Sequence, residues 1–347
     1  VAYGTGMDKR TAVVTGATGY VGSHLVPALV DQGWSVRAAG RRPRPEWMTP
    51  DVDYRSVDLA GDDDEALAQL CAGATHVLHL AGASSSLSSE DEMDRSNRLA
   101  TERLLAAIGD QVERMVYVSS TSVYGEEEAL PLPVREDTEP HPSRGYGKAK
   151  WRAEQLVWAA GAAGLPVVVM RPVSVYGPGN VKLLGSAVLD VAIERFAGSR
   201  RLLIPAEPIE QRLVHIDDVV AACLHLAVHD RAVGRAFNVV FPEYPSSHQV
   251  AGILATALGL EAALSDDPEC GPDYPWRQAV HRTMLAEGMA PDILLTRERF
   301  RFMRKANRNN RLSVDALLGT GFEFSDRGLE EGIRSTVAWY LDHGWII

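Results

Sequence analysis

Tyr146 and Lys150 stand four residues apart in Tyr146-Gly147-Lys148-Ala149-Lys150. On a helix that spacing puts both side chains on one face. A free tyrosine titrates near pH 10, roughly three units too high for a base at neutral pH. A neighbouring ammonium favours the phenolate and is expected to lower that value. The pair is therefore read as a device that gives a proton to a carbinol oxygen or takes one from it. Upstream, an apolar run ends in Ser119-Ser120-Thr121-Ser122. A hydroxyl at the carboxyl end of a parallel strand faces the ligand crevice and can hold the reacting oxygen.

A second constellation lies near the start. The apolar run Thr11-Ala12-Val13-Val14 leads into Thr15-Gly16-Ala17-Thr18-Gly19-Tyr20-Val21-Gly22. A strand that ends in glycines and opens a helix lets the backbone approach a pyrophosphate at the helix N-terminus. A dinucleotide cradle plus a proton relay implies hydride transfer. A site for NAD usually has Asp or Glu about 20 residues further on, bonding the ribose 2′-hydroxyl. Here Ser35–Arg44 contains no acid and carries Arg37, Arg41, Arg42 and Arg44. Guanidinium groups pair with a 2′-phosphate. NADP(H) is expected, through Arg41 and Arg42, with NAD(H) as the alternative.

These residues need a scaffold. Short apolar runs alternate with helix-like stretches: strands at Ala12–Thr15, Ser35–Ala39, Val52–Val57, His76–Ala81, Arg114–Ser119 and Pro166–Arg171; helices at Val21–Gln32, Glu65–Ala72, Met93–Ile108 and Tyr146–Ala162. That rhythm predicts an α/β fold, a doubly wound parallel Rossmann sheet. After Pro172 the pattern changes. Leu184–Ala197 reads as a helix, Val214–Val228 as a strand end running into a helix, and Ala236–Val240 as a strand, while 241–312 reads as irregular. The expected division is 7–172 with 213–240 for the dinucleotide domain, and 173–212 with 241–347 for a smaller substrate-binding lobe.

Composition sets limits. The chain has 347 residues, 46% hydrophobic and 23% charged, enough for a large core. Its net charge of −11 argues against a nucleic-acid partner. Cys71, Cys223 and Cys270 show no disulfide or zinc spacing, which suggests a reducing, cytoplasmic setting. No apolar run reaches the ~18 residues of a membrane span, and no signal-peptide pattern is seen. Val1–Gly6 are read as a remnant ahead of a native start at Met7. His225 and His229 are a helical i,i+4 pair without a carboxylate motif, so no metal is expected. Asp217-Asp218 reads as a helix cap for Val219–Val228. The basic stretch Arg297–Arg311 reads either as a solvated face or as an anion contact.

Taken together, the chain resembles the extended short-chain dehydrogenase/reductase family, which includes nucleotide-sugar epimerases and dehydratases. The resemblance rests on Thr15–Gly22, Asp58-Leu59, His79-Leu80-Ala81-Gly82, Asn97, the Ser119–Gly125 run, Tyr146 with Lys150, Arg171-Pro172 through Val175-Tyr176-Gly177-Pro178-Gly179, and His215-Ile216-Asp217-Asp218. It implies that Ser120, Tyr146 and Lys150 are catalytic. It implies cofactor contacts from Gly16, Thr18, Gly19, Tyr20, Val21, Gly22, Asp58, Leu59, Leu80, Ala81, Gly82, Asn97, Pro172, Val173 and Val175. Lys150 would also hold the nicotinamide ribose. Ser84, Ser120, Ser174 and Arg212 are the implied substrate contacts. A homodimer through the helices near 93–108 and 146–162 is expected.

The departures shape the functional reading. Thr121-Ser122 replaces the Asp-Glu of the dehydratases, which argues against elimination of water. Ser174 stands where many epimerases have Asn, whereas Arg212 suits a nucleotide-sugar diphosphate. The pattern from Leu295-Thr296-Arg297-Glu298 to Trp339-Tyr340 resembles members acting on apolar alcohols. The main expectation is an NADP(H)-dependent ketoreductase or alcohol dehydrogenase acting on a small molecule, free or nucleotide- or carrier-linked. The alternative is a nucleotide-sugar epimerase or 4-ketoreductase. The outlier is a redox-inactive dinucleotide-binding protein.

Overall fold

In the computed structural model the described residues are 10–83, 89–125, 130–143, 145–293, 295–300 and 311–347. The elements follow the apolar periodicity. In order they are β1 (Thr11–Thr15), α1 (Tyr20–Asp31), β2 (Ser35–Gly40), β3 (Asp53–Ser56), α2 (Asp64–Cys71), β4 (His76–His79), α3 (Glu90–Asp94), α4 (Ala100–Ala107), β5 (Arg114–Val118), α5 (Gly145–Ala162) and β6 (Val167–Pro172). Then come β7 (Ser174–Tyr176), α6 (Leu184–Phe196), β8 (Arg201–Pro205), β9 (Leu213–His215), α7 (Ile216–Val228) and β10 (Arg235–Val239). The chain closes with α8 (Ser247–Ala257), β11 (Glu261–Ser265), α9 (Tyr274–Ala286), α10 (Asp315–Leu318) and α11 (Leu329–Asp342).

The chain divides into two units: residues up to 173 with 218–239 and 312–323, and residues 174–217 with 240–311 and 324–347. The stretch 213–217 thus groups with the second unit and 312–323 with the first, unlike the boundaries expected above. The first unit holds a seven-stranded sheet in the order β10-β6-β5-β4-β1-β2-β3. Every pairing in it is parallel. Parallel strands need both faces covered, so β4 and β5 are buried at every position. One face packs Val13, Val77, Met115 and Val169 against Leu67, Leu104 and Val157. The strand order reverses beside β1, where β2 lies on one side and β4 on the other. That switch point is where doubly wound sheets bind ligands.

The expected helix 93–108 is not a uniform α-helix. Residues Arg95–Leu99 form a π turn between α3 and α4. Periodicity in sequence does not register one extra residue in a turn.

The second unit contains the parallel pairs β7–β9 and β8–β11. Its core gathers Val188, Ile193, Leu202, Leu254, Met284, Val337 and Tyr340. The expectation that 241–312 is irregular is corrected, since α8, β11 and α9 lie there. Their start signals are legible afterwards. Ser246 and Gln249 form a capping box for α8, and Asp273 caps α9 with Pro in its first turn. The cap reading of Asp217-Asp218 also changes: α7 starts at Ile216, so both acids lie in its first turn.

Candidate active site

The glycine turn forms because β1 must reverse into α1 without Cβ atoms. Gly16 has φ +69°, and a Cβ there would stand 2.7 Å from the Ala81 amide nitrogen. At Gly22 a Cβ would lie 2.4 Å from the Gly16 carbonyl oxygen. The turn closes through the Gly19 amide, which donates to the Gly16 carbonyl at 2.9 Å, and the Ala17 amide, which donates to Ala39 at 3.0 Å. Gly19 ends the turn with no side-chain cap, and the first turn of α1 carries no acidic residue. The amides of Tyr20, Val21 and Gly22 therefore face no competing carboxylate from their own turn, which suits a pyrophosphate. Thr18 packs against Gly40 at the end of β2: a Cβ on that glycine would lie 2.8 Å from the Thr18 hydroxyl.

Except for Val175, the residues expected to contact a cofactor lie in the first unit. Leu80 follows β4 and donates its amide to the Thr15 carbonyl at 3.2 Å. Asp58 accepts from the Ala60 amide and from Arg95 at 3.1 Å, and Leu59 is buried beside it. Gly82 has φ +157°, and a Cβ there would lie 2.3 Å from Asn97 Oδ1 and 3.1 Å from Lys150 Nζ. Asn97 is buried in the π turn, with its amide nitrogen donating to Ala83 and Met93 carbonyls. Pro172 ends β6, and the Val173 amide donates to Val239 at 3.2 Å. Val175, Ser174 and Arg212 belong to the second unit. There Ser174 pairs with Leu213, so Arg212 stands one residue from Ser174's partner. Ser84 lies outside the described residues, as do 301–310 of the basic stretch.

The residues expected to transfer the proton come together in the first unit. Ser120 caps a 3-10 turn, Thr121–Tyr124, and accepts from the Ser122 amide at 3.2 Å. Gly147 lets the first turn of α5 approach that turn, since a Cβ there would be 2.6 Å from the Ser122 carbonyl oxygen. Tyr146, half-buried on the same turn, has the Ser120 side chain as a polar neighbour that acts on its phenol. Lys150 is 4% exposed and donates to the Val118 carbonyl at 2.9 Å. Of the neighbouring hydroxyls, Ser119 is structural: it donates to Glu154 at 2.6 Å.

The electrostatics correct one expectation. Burial pushes the Tyr146 phenol up to about 12, and the neighbouring Ser120 side chain pulls it down. Burial draws Lys150 down to about 8, opposed by Glu154. The lysine does not pre-ionise the tyrosine here, because its ammonium is itself desolvated and directed at a backbone carbonyl. Without a further positive charge, Tyr146 is a neutral phenol, a proton donor rather than a base.

Sequence reasoning underweighted the groups that hold this array. Glu154, wholly buried one turn beyond Lys150, accepts from Arg171, from Ser119 and from the Trp158 indole. Arg171 also donates to the Tyr124 hydroxyl at 2.7 Å and to the Glu136 carbonyl at 2.9 Å. This network ties α5 to the ends of β5 and β6, where Ser120 and Pro172 sit. The i,i+4 spacing of Lys150 and Glu154 on one helix face was its only trace in the sequence.

Other candidates are absorbed by structure. His225 shares a hydrogen bond with Thr320 at 2.8 Å, and its ring lies 5.0 Å from that of His229. Among the described residues no cluster of three or more His, Cys, Asp or Glu could hold a metal. All three cysteines are free and buried. No helix among the described residues is long and apolar enough to cross a membrane. At the ends of the basic stretch, Arg299 is buried against Glu194 and Arg311 pairs with Glu210 at 2.7 Å.

Comparison with known proteins places the chain. Residues 12–239 match the NAD dependent epimerase/dehydratase family. The chain belongs to that family and is an enzyme of the extended short-chain dehydrogenase/reductase type, a class that uses NAD(P) for oxidoreduction and epimerisation. A 4-hydroxy-2-methyl-3-oxo-4-farnesyl-3,4-dihydroquinoline-1-oxide ketoreductase of Stigmatella aurantiaca is 33% identical over 191 residues, 53% of this chain and 55% of that protein. The chain thus matches about half the length of that relative. MoeE5 in complex with UDP-glucose and NAD is 28% identical, with 96% of this chain and 99% of the other aligned at a TM-score of 0.70. RMD from Pseudomonas aeruginosa, complexed with NADPH, shares the fold at 22% identity, 96% and 100% coverage and a TM-score of 0.70.

These structures overturn the NADP(H) preference. NAD is also the dinucleotide in the MoeE5 complex with UDP-glucuronic acid, and in similarly folded epimerases from Bacillus cereus and Thermus thermophilus. RMD is the exception among those named. The arginine count misled for a physical reason. Arg37 pairs with Asp53 at 3.2 Å and donates to the Leu70 and Ala72 carbonyls at the end of α2. Arg44 donates to the Met48, Thr49 and Val52 carbonyls. Half of the apparent phosphate site is thus local scaffolding. Arg41 and Arg42 are exposed.

Proposed function

We propose that this enzyme uses NAD(H) to oxidise or reduce a secondary alcohol carbon of a nucleotide sugar, as an epimerase or 4-ketoreductase. The observation that carries the reading is the Ser120–Tyr146–Lys150 array on a cradle whose full-length fold matches MoeE5 at 28% identity, a protein complexed with UDP-glucose and NAD. The dinucleotide, when bound, supplies hydride acceptance and donation. The chain supplies the rest. The α1 amides meet the pyrophosphate. Ser120 orients the sugar oxygen. Tyr146 exchanges the proton at that oxygen, and Lys150 adds positive charge that favours the phenolate once the site is filled. Within the second unit, Ser174 and Arg212 stand at adjacent register, and they are the candidates there for nucleotide-sugar contacts. Thr121-Ser122 supports oxidoreduction over elimination.

Net redox distinguishes the two forms. The purified protein should carry NAD(H), and it should convert UDP-glucose without added reductant if it is an epimerase. Failure to bind NADH or to act on any nucleotide sugar would reject the reading. A ketoreductase acting on an apolar substrate is the second reading, favoured by the 33% identity to the Stigmatella ketoreductase. It would require stoichiometric oxidation of added reduced dinucleotide.

A further inference from the structure

Beneath the cradle runs a directed chain of buried hydrogen bonds that the proton-transfer array does not use. His79, wholly buried at the end of β4, lies between two hydroxyls: its Nδ1 is 2.6 Å from Thr15 Oγ1 and its Nε2 is 2.8 Å from Thr101 Oγ1. The Thr101 hydroxyl donates its one proton to the Asn97 carbonyl at 2.6 Å. It can then only accept from His79, so Nε2 carries the hydrogen. Nδ1 must accept, and the Thr15 hydroxyl donates to it. Thr15 Oγ1 in turn accepts from the Ala81 amide at 3.4 Å. The polarity is thereby set at every link.

We propose that His79 is a positioning residue: as a neutral Nε2–H imidazole it locks the residue before the glycine turn and the residue before Gly82 to the π turn that presents Asn97 beside Lys150. The three segments it joins each bear on the cofactor site. Thr15 immediately precedes Gly16. Ala81 precedes Gly82, above which Asn97 Oδ1 and Lys150 Nζ both lie within 3.1 Å of one point. The π turn has an irregular backbone, and Thr101 supplies a side-chain donor to one of its carbonyls. A protonated ring would present two donors, and Thr15 would lose its acceptor. Burial and the facing Lys150 charge both hold the ring neutral. Fully satisfied buried networks of this kind specify one arrangement, and a partly satisfied one is costly.

The proposal rests on the NAD(H) reading, and its test separates the two. Nitrogen NMR of the full chain labelled at histidine should show His79 with a protonated Nε2 and an unprotonated Nδ1 from pH 5 to pH 8. The opposite tautomer, or an imidazolium in that range, overturns the proposal without reference to any cofactor. NADH affinity is then measured by fluorescence for the wild type and for His79→Leu, His79→Gln and Thr101→Val, with far-ultraviolet circular dichroism on each. A Gln amide can accept at one atom and donate at the other, so it should restore most of the affinity. His79→Leu and Thr101→Val should each weaken NADH binding by about tenfold while remaining folded. Wild-type affinity in folded His79→Leu and Thr101→Val overturns the proposal. If His79→Leu does not fold, the tautomer and Thr101→Val decide. A wild type that fails to bind NADH sinks the cofactor reading instead.

Discussion

Both units bury charge-paired side chains, Glu154 with Arg171 in the first, but the first also buries a charge that is not matched in this way. In the first, Lys150 is nearly inaccessible and has no carboxylate partner of its own among the described residues. Its hydrogen bond goes to a backbone carbonyl, and burial reduces its affinity for a proton. In the second, Asp190 and Glu194 lie one turn apart on α6 and are matched by Arg277 at 2.6 Å and by Arg299. Arg299 also donates to the Leu203 carbonyl at 2.7 Å, and the Phe300 amide donates to Asp190. Those charges cancel and pin residues 297–300 to a helix. A buried charge left without an equal and opposite neighbour has a perturbed proton affinity and is suited to chemistry. A fully paired one is a fastener.

This contrast can be broken by experiment. The largest effect should come from Tyr146→Phe, which removes the proposed proton carrier. Turnover is expected to fall by about 10²–10⁴-fold, with NADH affinity changed little. Retained turnover would remove Tyr146 from the mechanism. Next, Arg277→Leu should destabilise the fold by about 3–5 kcal/mol, since it strands Asp190 in the core. Denaturant unfolding measures it, and a loss under about 1 kcal/mol, the size of an exposed pair, would mean that this one is not a fastener. Replacing Asp190 as well, with Leu, should recover much of that loss, because no buried charge then remains.

A pH series sharpens the same point in the first unit. His79 is drawn down to about 3 and His76 to about 4, both chiefly by burial. The unfolded chain binds these protons below about pH 6.5, whereas the native chain resists them. Stability should therefore be fully present above about pH 6.5 and fall progressively towards about pH 3. His79→Gln should flatten that slope, and an unchanged slope would assign it to other groups. The smallest effect expected is that of Ser246→Ala, which opens the α8 capping box at a cost of about 1 kcal/mol. Thermal melts should show it without any change in NADH affinity.

The parts of the molecule that could be read in advance share a cause. Gly16, Gly19 and Gly22, the strand alternation and the Tyr146–Lys150 spacing are local: each depends on residues a few positions apart, and local geometry sets their meaning. The two acids of α6 show the opposite case. Nothing near Asp190 and Glu194 in the chain announces Arg277 or Arg299, about 90 to 105 positions away. The helices within 241–312 were missed although Ser246 with Gln249 and Asp273 with Pro275 marked their starts; only in α9 do charges, Arg277 and Arg282, interrupt the run.

By itself the sequence determined the parallel sheet, the glycine turn that begins α1 and the family, and it singled out the side chains proposed to move a proton. Those follow from periodicity, from backbone freedom at glycine and from helix geometry, which act over a few residues. The tertiary structure decided which charges are used up. It showed Arg37 and Arg44 holding backbone carbonyls, Tyr146 kept protonated by burial, and His79 threaded between Thr15 and Thr101. Proton affinity and charge pairing depend on what surrounds a group in three dimensions, and in a folded chain most of those neighbours come from far along the sequence.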